Sequence, residues 1–173
     1  MSSSLQSLLI VDDDRLILQM LGEIFSKDFT ILTATDGEEA IAVLRKEPVV
    51  AVLCDHMMPK VTGVEVLKEC VTLQPDAVRI LVTATERVQD VRDAVNLARV
   101  HRVVVKPFRV LEVSGLVKGA IREGQLEREN AKLVADLQHA LDEVRKREVE
   151  LEQELRIRTQ ELKDVMGHMA KSC

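Results

Sequence analysis

Between Leu8 and Ile121, short apolar runs alternate five times with apolar residues at helical spacing. That alternation limits the chain to few folds. Leu8 to Val11, Phe29 to Ala34, Val49 to Cys54, Val78 to Val82 and Val103 to Val105 read as strands. Helices are expected over Leu16 to Phe25, Glu38 to Lys46, Val64 to Leu73 and Glu86 to Arg99, and again from Arg109. Pro48 and Pro75 stop two of them. The valine-rich third run has no polar alternation, as in a strand buried on both faces. Strands that alternate with helices predict an α/β fold with one doubly wound parallel sheet of five strands.

Such a sheet gathers the carboxyl ends of its strands along one rim, where open α/β folds bind ligands. Four of the five runs end in a polar group: Asp12-Asp13-Asp14, Asp55, Thr83 and Lys106. Each has an ordinary alternative. Any of the three aspartates can cap the following helix, Asp55 can serve a turn, Thr83 can cap the helix near Glu86, and Lys106 can be a solvated lysine. Taken together they suggest chemistry. Carboxylates crowded at one rim repel one another, and a hard cation such as Mg²⁺ with several retained waters suits them. A lysine and a hydroxyl beside a metal-bound carboxylate can receive a phosphoryl group, with the carboxylate attacking phosphorus.

The chain has 173 residues, enough for one well-buried domain and an appendage. Trp and Tyr are absent, so the core must be aliphatic. A net charge of −5 gives no electrostatic reason to bind nucleic acid or an anionic membrane. The run Leu8 to Val11 is too short to span a membrane. Cys54, Cys70 and Cys173 form no CxxC pair, and reduced thiols in a cytoplasmic protein are expected.

From about Glu123 the strand-like runs stop. Leu126 and Leu133 fall at heptad d, and Asn130, Leu137, Val144 and Leu151 at a, with Ala140 and Arg147 at d. Leu155, Leu162 and Met169 resume as a after a four-residue stutter, which leaves Arg158 at d. A helix with this stripe needs a partner, and a homodimeric coiled coil through residues 123–173 is expected, with residues 1–122 as the globular domain.

The motifs Leu9-Ile10-Val11-Asp12-Asp13-Asp14, Asp55-His56-Met57-Met58-Pro59 with Gly63, Val82-Thr83-Ala84 and Val105-Lys106-Pro107-Phe108 resemble those of response regulator receiver domains. The resemblance covers about Leu5 to Ile121 and implies a flavodoxin-like fold. It implies that Asp55 accepts a phosphoryl group from a sensor histidine kinase. Asp12, Asp13, Asp55 and the backbone carbonyl of Met57 would hold Mg²⁺, Thr83 and Lys106 would contact the phosphoryl group, and Ala84 would leave it room. The chain departs from the family at Val103, where an aromatic switch residue is common. Met57 and Thr85 offer no acid or amide to position water, so slow autodephosphorylation is expected. His56, next to the acceptor, should point away from it along the strand. The expected output is protein–protein interaction with an unknown downstream protein, without nucleic acid or membrane, and the chain is not expected to be an enzyme. Two alternatives are a helix that relays to an effector enzyme domain lying outside this chain, and a coiled-coil scaffold that no longer switches.

Overall fold

A computed structural model describes residues 5–84 and 96–172. The elements are β1 (Ser7–Val11), α1 (Arg15–Phe25), β2 (Thr30–Ala34), α2 (Gly37–Lys46), β3 (Ala51–Asp55), α3 (Gly63–Leu73), β4 (Val78–Ala84), β5 (Arg102–Lys106) and α4 (Val110–Lys171). The contacts divide the chain into two units, with the boundary between Gln125 and Leu126.

In the first unit the five strands form one sheet in the order β2-β1-β3-β4-β5. All four neighbouring pairs are parallel. The strands lie within one or two residues of the apolar runs, so the expected doubly wound sheet is present. Most of the expected helix over Glu86 to Arg99 lies outside the described residues.

Alternate side chains of each strand enter opposite cores, as a period of two requires. Leu9, Val11, Val52, Cys54 and Leu81 pack with Ala40 and Leu44 of α2 and with Val66, Leu67 and Cys70 of α3. On the other face, Leu8, Ile10, Leu53, Ile80 and Val104 pack with Leu18, Leu21 and Phe25 of α1 and with Val113, Val117, Ala120 and Ile121 of α4. Leu16 belongs to the helical spacing of α1 yet is 75% exposed. The helix begins only at Arg15, so Leu16 sits in its first turn, and the sheet-facing line runs through Leu18, Leu21 and Phe25.

After β2 the chain crosses back over β1 to add β3 on its other side. Strand order therefore reverses between β1 and β3, and a crevice opens at their carboxyl ends. Two tight contacts hold its β3 side in place. The backbone NH of His56 donates to the Val82 carbonyl at 2.8 Å, and the NH of Gly63 donates to the His56 carbonyl at 3.1 Å. A β-carbon at Gly63 would fall 2.8 Å from the carbonyl carbon of Asp55 and 2.9 Å from the Cα of His56. Only glycine lets the first turn of α3 approach the end of β3 so closely. Gly63→Ala is expected to destabilise the domain by about 1–3 kcal/mol, because one backbone segment has to move. Thermal unfolding checks this, and an unchanged midpoint would contradict the close approach.

Candidate phosphoryl-acceptor site

The ends of β1, β3, β4 and β5 bring the residues singled out above to one rim. Asp12 follows β1 and is 3% exposed, Asp55 ends β3 at 6%, and Thr83 on β4 is fully buried. Asp13 is exposed. Asp12, Asp13 and Asp55 each offer a carboxylate oxygen within 4.8 Å of the others. Lys106, the last residue of β5, spans the cleft: its Nζ lies 3.0 Å from Asp12 Oδ2 and 3.0 Å from Asp55 Oδ1.

The three consecutive aspartates divide their work by hydrogen bonding. Asp14 is the N-cap of α1, its Oδ1 accepting from the NH of Leu16 at 2.8 Å. Asp12 Oδ1 accepts from the NH of Asp14 at 2.9 Å, which orients its other oxygen toward Lys106. A cap of this kind satisfies one of the helix's free NH groups, so Asp14 is committed to α1 while Asp12 and Asp13 face the rim cluster. Parallel pairing aligns Asp55 with Val82, and Ala84 with Lys106. Thr83 and Ala84 thus stand between the strand of Asp55 and the strand of Lys106. Among the described residues the Thr83 hydroxyl has one long hydrogen bond, 3.5 Å to the Ala84 carbonyl. Met57 lies in the β3–α3 loop and is 52% exposed. Val103 is half-buried. Thr85 lies outside the described residues, as does the start of the helix that Thr83 could alternatively cap.

Burial raises the Asp55 carboxyl above the ordinary carboxylate range, against the bond and charge of Lys106, which lower it. Burial also pulls the Lys106 ammonium down, but its bonds to Asp55 and Asp12 outweigh this and hold it above its usual value. The site is thus a lysine cation held between two carboxylates, with a third carboxylate at the open side. Hard oxygen ligands so close together are the donor set that Mg²⁺ or a similar cation takes.

The sequence reading did not identify two supports. Gln74 at the end of α3 accepts from the NH of Val49 at 2.8 Å and donates at 2.7 Å to the carbonyls of Leu44 and Glu47, tying α2 to the approach of β3. No local pattern marks a glutamine for such a task. The capping box of Thr62 and Glu65, in which Glu65 accepts from the Thr62 NH at 2.7 Å, fixes the start of α3. The T-x-x-E spacing was a signal that could have found it. The buried Nδ1 of His56 has no hydrogen-bond partner among the described residues.

Comparison with known proteins agrees with this geometry. The profile of the response regulator receiver domain matches residues 8–118. The hydrogenase transcriptional regulatory protein HoxA of Cupriavidus necator is 31% identical over 147 residues, covering 85% of this chain and 30% of that protein. Response regulator MprA of Mycobacterium ulcerans is 30% identical over 125 residues, covering 72% of this chain and 53% of that protein. The chain therefore spans about a third to a half of these relatives. Among solved structures, a CheY-like response regulator receiver domain protein from Methanospirillum hungatei matches with a TM-score of 0.67 at 26% identity, over 72% of this chain and 99% of that one. A structure described as an adenylate cyclase from Rhodopirellula baltica matches with a TM-score of 0.69 at 27% identity, over 75% of this chain and 97% of that one.

The raised Asp55 carboxyl has a thermodynamic sign. The folded domain holds this proton more tightly than the unfolded chain, so the ionised form costs stability. That cost is absent below the unfolded value of about 4 and complete once the pH exceeds the folded value. In metal-free buffer, Asp55→Asn is expected to melt higher than the natural chain at pH 7 and to lose the advantage toward pH 4. Lys106 keeps Asp12 as a partner in the variant. Equal melting at pH 7 would show that burial of Asp55 carries no net penalty.

Proposed function

The chain belongs to the response regulator receiver family, and on that premise we propose that it is a phosphoryl-accepting switch that acts through protein–protein contact. The observation that carries the proposal is Lys106, 3.0 Å from both Asp12 and Asp55 at the switch point of the sheet. In this reading residues 1–122 are the receiver and residues 123–173 a dimerising and signalling helix.

Asp12, Asp13, Asp55 and the carbonyl of Met57 would hold Mg²⁺, which when bound neutralises phosphoryl oxygens. Asp55 attacks the phosphorus of a sensor histidine kinase's phosphohistidine. The phosphorus–nitrogen bond breaks, the imidazole leaves and takes up a proton, and an acyl phosphate forms on Asp55. Lys106 turns from a bridge between two carboxylates into a partner for phosphoryl oxygen. Thr83 is well placed to donate its hydroxyl, since its present bond is long. Ala84 leaves room for the group. The donor places the action in the cytoplasm. No helix among the described residues is long and apolar enough to cross a membrane.

The proposed output lies in the second unit, whose helix presents many exposed aliphatic side chains, among them Leu133, Leu137, Val144, Leu151, Leu155 and Leu162. A homodimer through this helix covers them, and phosphorylation alters its geometry or its surface for a downstream protein. A second reading, in which the helix relays to an effector domain of a longer chain, draws support from the 30% of HoxA that this chain spans.

Incubation with phosphoramidate and Mg²⁺ is expected to add one hydroxylamine-labile phosphoryl group per chain. The label should be absent without Mg²⁺, absent in Asp55→Asn and strongly reduced in Asp13→Asn. It should be lost slowly, because Met57 offers no group to position water. A label that persists in Asp55→Asn would assign the acceptor elsewhere.

A further inference from the structure

Seven apolar side chains of the second unit follow a simpler rule than heptads with a stutter. Leu133, Val144, Leu155 and Met166 are each eleven residues apart, and so are Ala140, Leu151 and Leu162. The two series interleave at alternating spacings of seven and four, without interruption from Leu133 to Met166. Leu133, Val144, Leu155 and Met166 are 56–69% exposed. An eleven-residue repeat closes after three helical turns, at about 3.67 residues per turn, and winds a coil slightly right-handed instead of left-handed.

This repeat removes the awkward feature of the heptad reading. There, Arg147 and Arg158 both occupy the buried d position. They too are eleven residues apart, so in the eleven-residue frame both move to one flank of the stripe. Glu148 and Thr159 fall together on the other flank.

Charge then selects the orientation. In a parallel, in-register pair, the flank of one helix faces the opposite flank of its partner. Arg147 therefore meets Glu148 of the partner subunit, twice by symmetry. An antiparallel pair sets like flanks together, arginine flank against arginine flank. Heptad register fails in a different way: Glu143 at g meets Glu148 at e of the partner subunit, a like-charge contact. Arg147 already reaches Glu150 of its own helix at 3.2 Å, and its guanidinium has donors for a second carboxylate.

We propose that Leu133 to Met166 pairs with a second copy of this chain as a parallel, in-register, eleven-residue-repeat coil, with Ala140, Leu151, Leu155 and Leu162 in the seam and Arg147 matched to Glu148 of the partner subunit. This rests on the homodimer reading above and specifies its register, hand and orientation.

Disulfide trapping in the full chain tests it. Cys54 and Cys70 are buried, and Cys173→Ser removes the remaining thiol. Single cysteines then replace Leu151, Leu162 or Arg158. Seam positions bring Cα atoms within disulfide reach, so Leu151→Cys and Leu162→Cys are expected to cross-link roughly tenfold faster than Arg158→Cys. If Arg158→Cys cross-links as fast as Leu162→Cys, the heptad frame holds and the proposal fails while the homodimer stands. If light scattering finds the Cys173→Ser parent monomeric, the homodimer reading fails and takes the proposal with it. Orientation is read from charge exchange. Arg147→Glu and Glu148→Arg should each weaken the dimer by about three- to tenfold, and the double exchange should restore it. Tighter association of Arg147→Glu alone would point to antiparallel pairing and overturn the proposal.

Discussion

Carboxylates at one rim of a sheet repel one another, and among the described residues Lys106 offsets that repulsion. Lys106 is held 3.0 Å from both Asp12 and Asp55, so the ammonium is part of the fold whatever chemistry it serves. The ends of β1, β3 and β5 are joined through one Nζ. A phosphoryl group arriving on Asp55 would bring new negative oxygens to that ammonium and compete with Asp12 for it. In the proposed function the switch would be a change of partner for a charge that is already in place, at the reversal of strand order where β1 and β3 part. A resting network of this sort is poised because, among the described residues, its members are incompletely satisfied: the Asp55 carboxyl is raised by burial, and the Thr83 hydroxyl makes a long 3.5 Å bond.

Much of this was legible in the sequence, for identifiable reasons. Valine-rich runs that lack polar alternation mark strands covered on both faces, and the polar residue that ends each run marks the rim. The order of the strands was not read from the connections and was implied only by the resemblance to receiver domains. Strand ends were less visible. β4 continues through Thr83 to Ala84, although the apolar run stops at Val82, because pairing with β5 sustains the strand where hydrophobicity does not. Leu16 shares the helical spacing of α1 yet is exposed, because spacing does not say where a helix clears the sheet.

Other features depended on contacts between residues distant in the chain. Gly63 stood out in the sequence only as part of the receiver-like motif, and its need is set by the carbonyl of Asp55 lying under it. Gln74 reaches across to Leu44, Glu47 and Val49, a task that no spacing announces. Which of the three aspartates caps α1 was open in the sequence, and the hydrogen bonds assign it to Asp14. The second unit shows the opposite case. Its helix has no packed core to consult, so the periodicity of its aliphatic residues carries nearly all the information about how it pairs.

If the rim is a phosphoryl site assembled around Lys106 and a metal, then cation and phosphoryl group must help each other bind. Coupling of this kind is reciprocal and can be measured without any kinase. The most direct measurement is a calorimetric titration of Mg²⁺ into the full chain, with and without beryllofluoride as a phosphoryl mimic. The account predicts that beryllofluoride tightens Mg²⁺ binding by about tenfold or more, and that the gain disappears in Asp55→Asn. An Mg²⁺ affinity that is the same with and without beryllofluoride would contradict it.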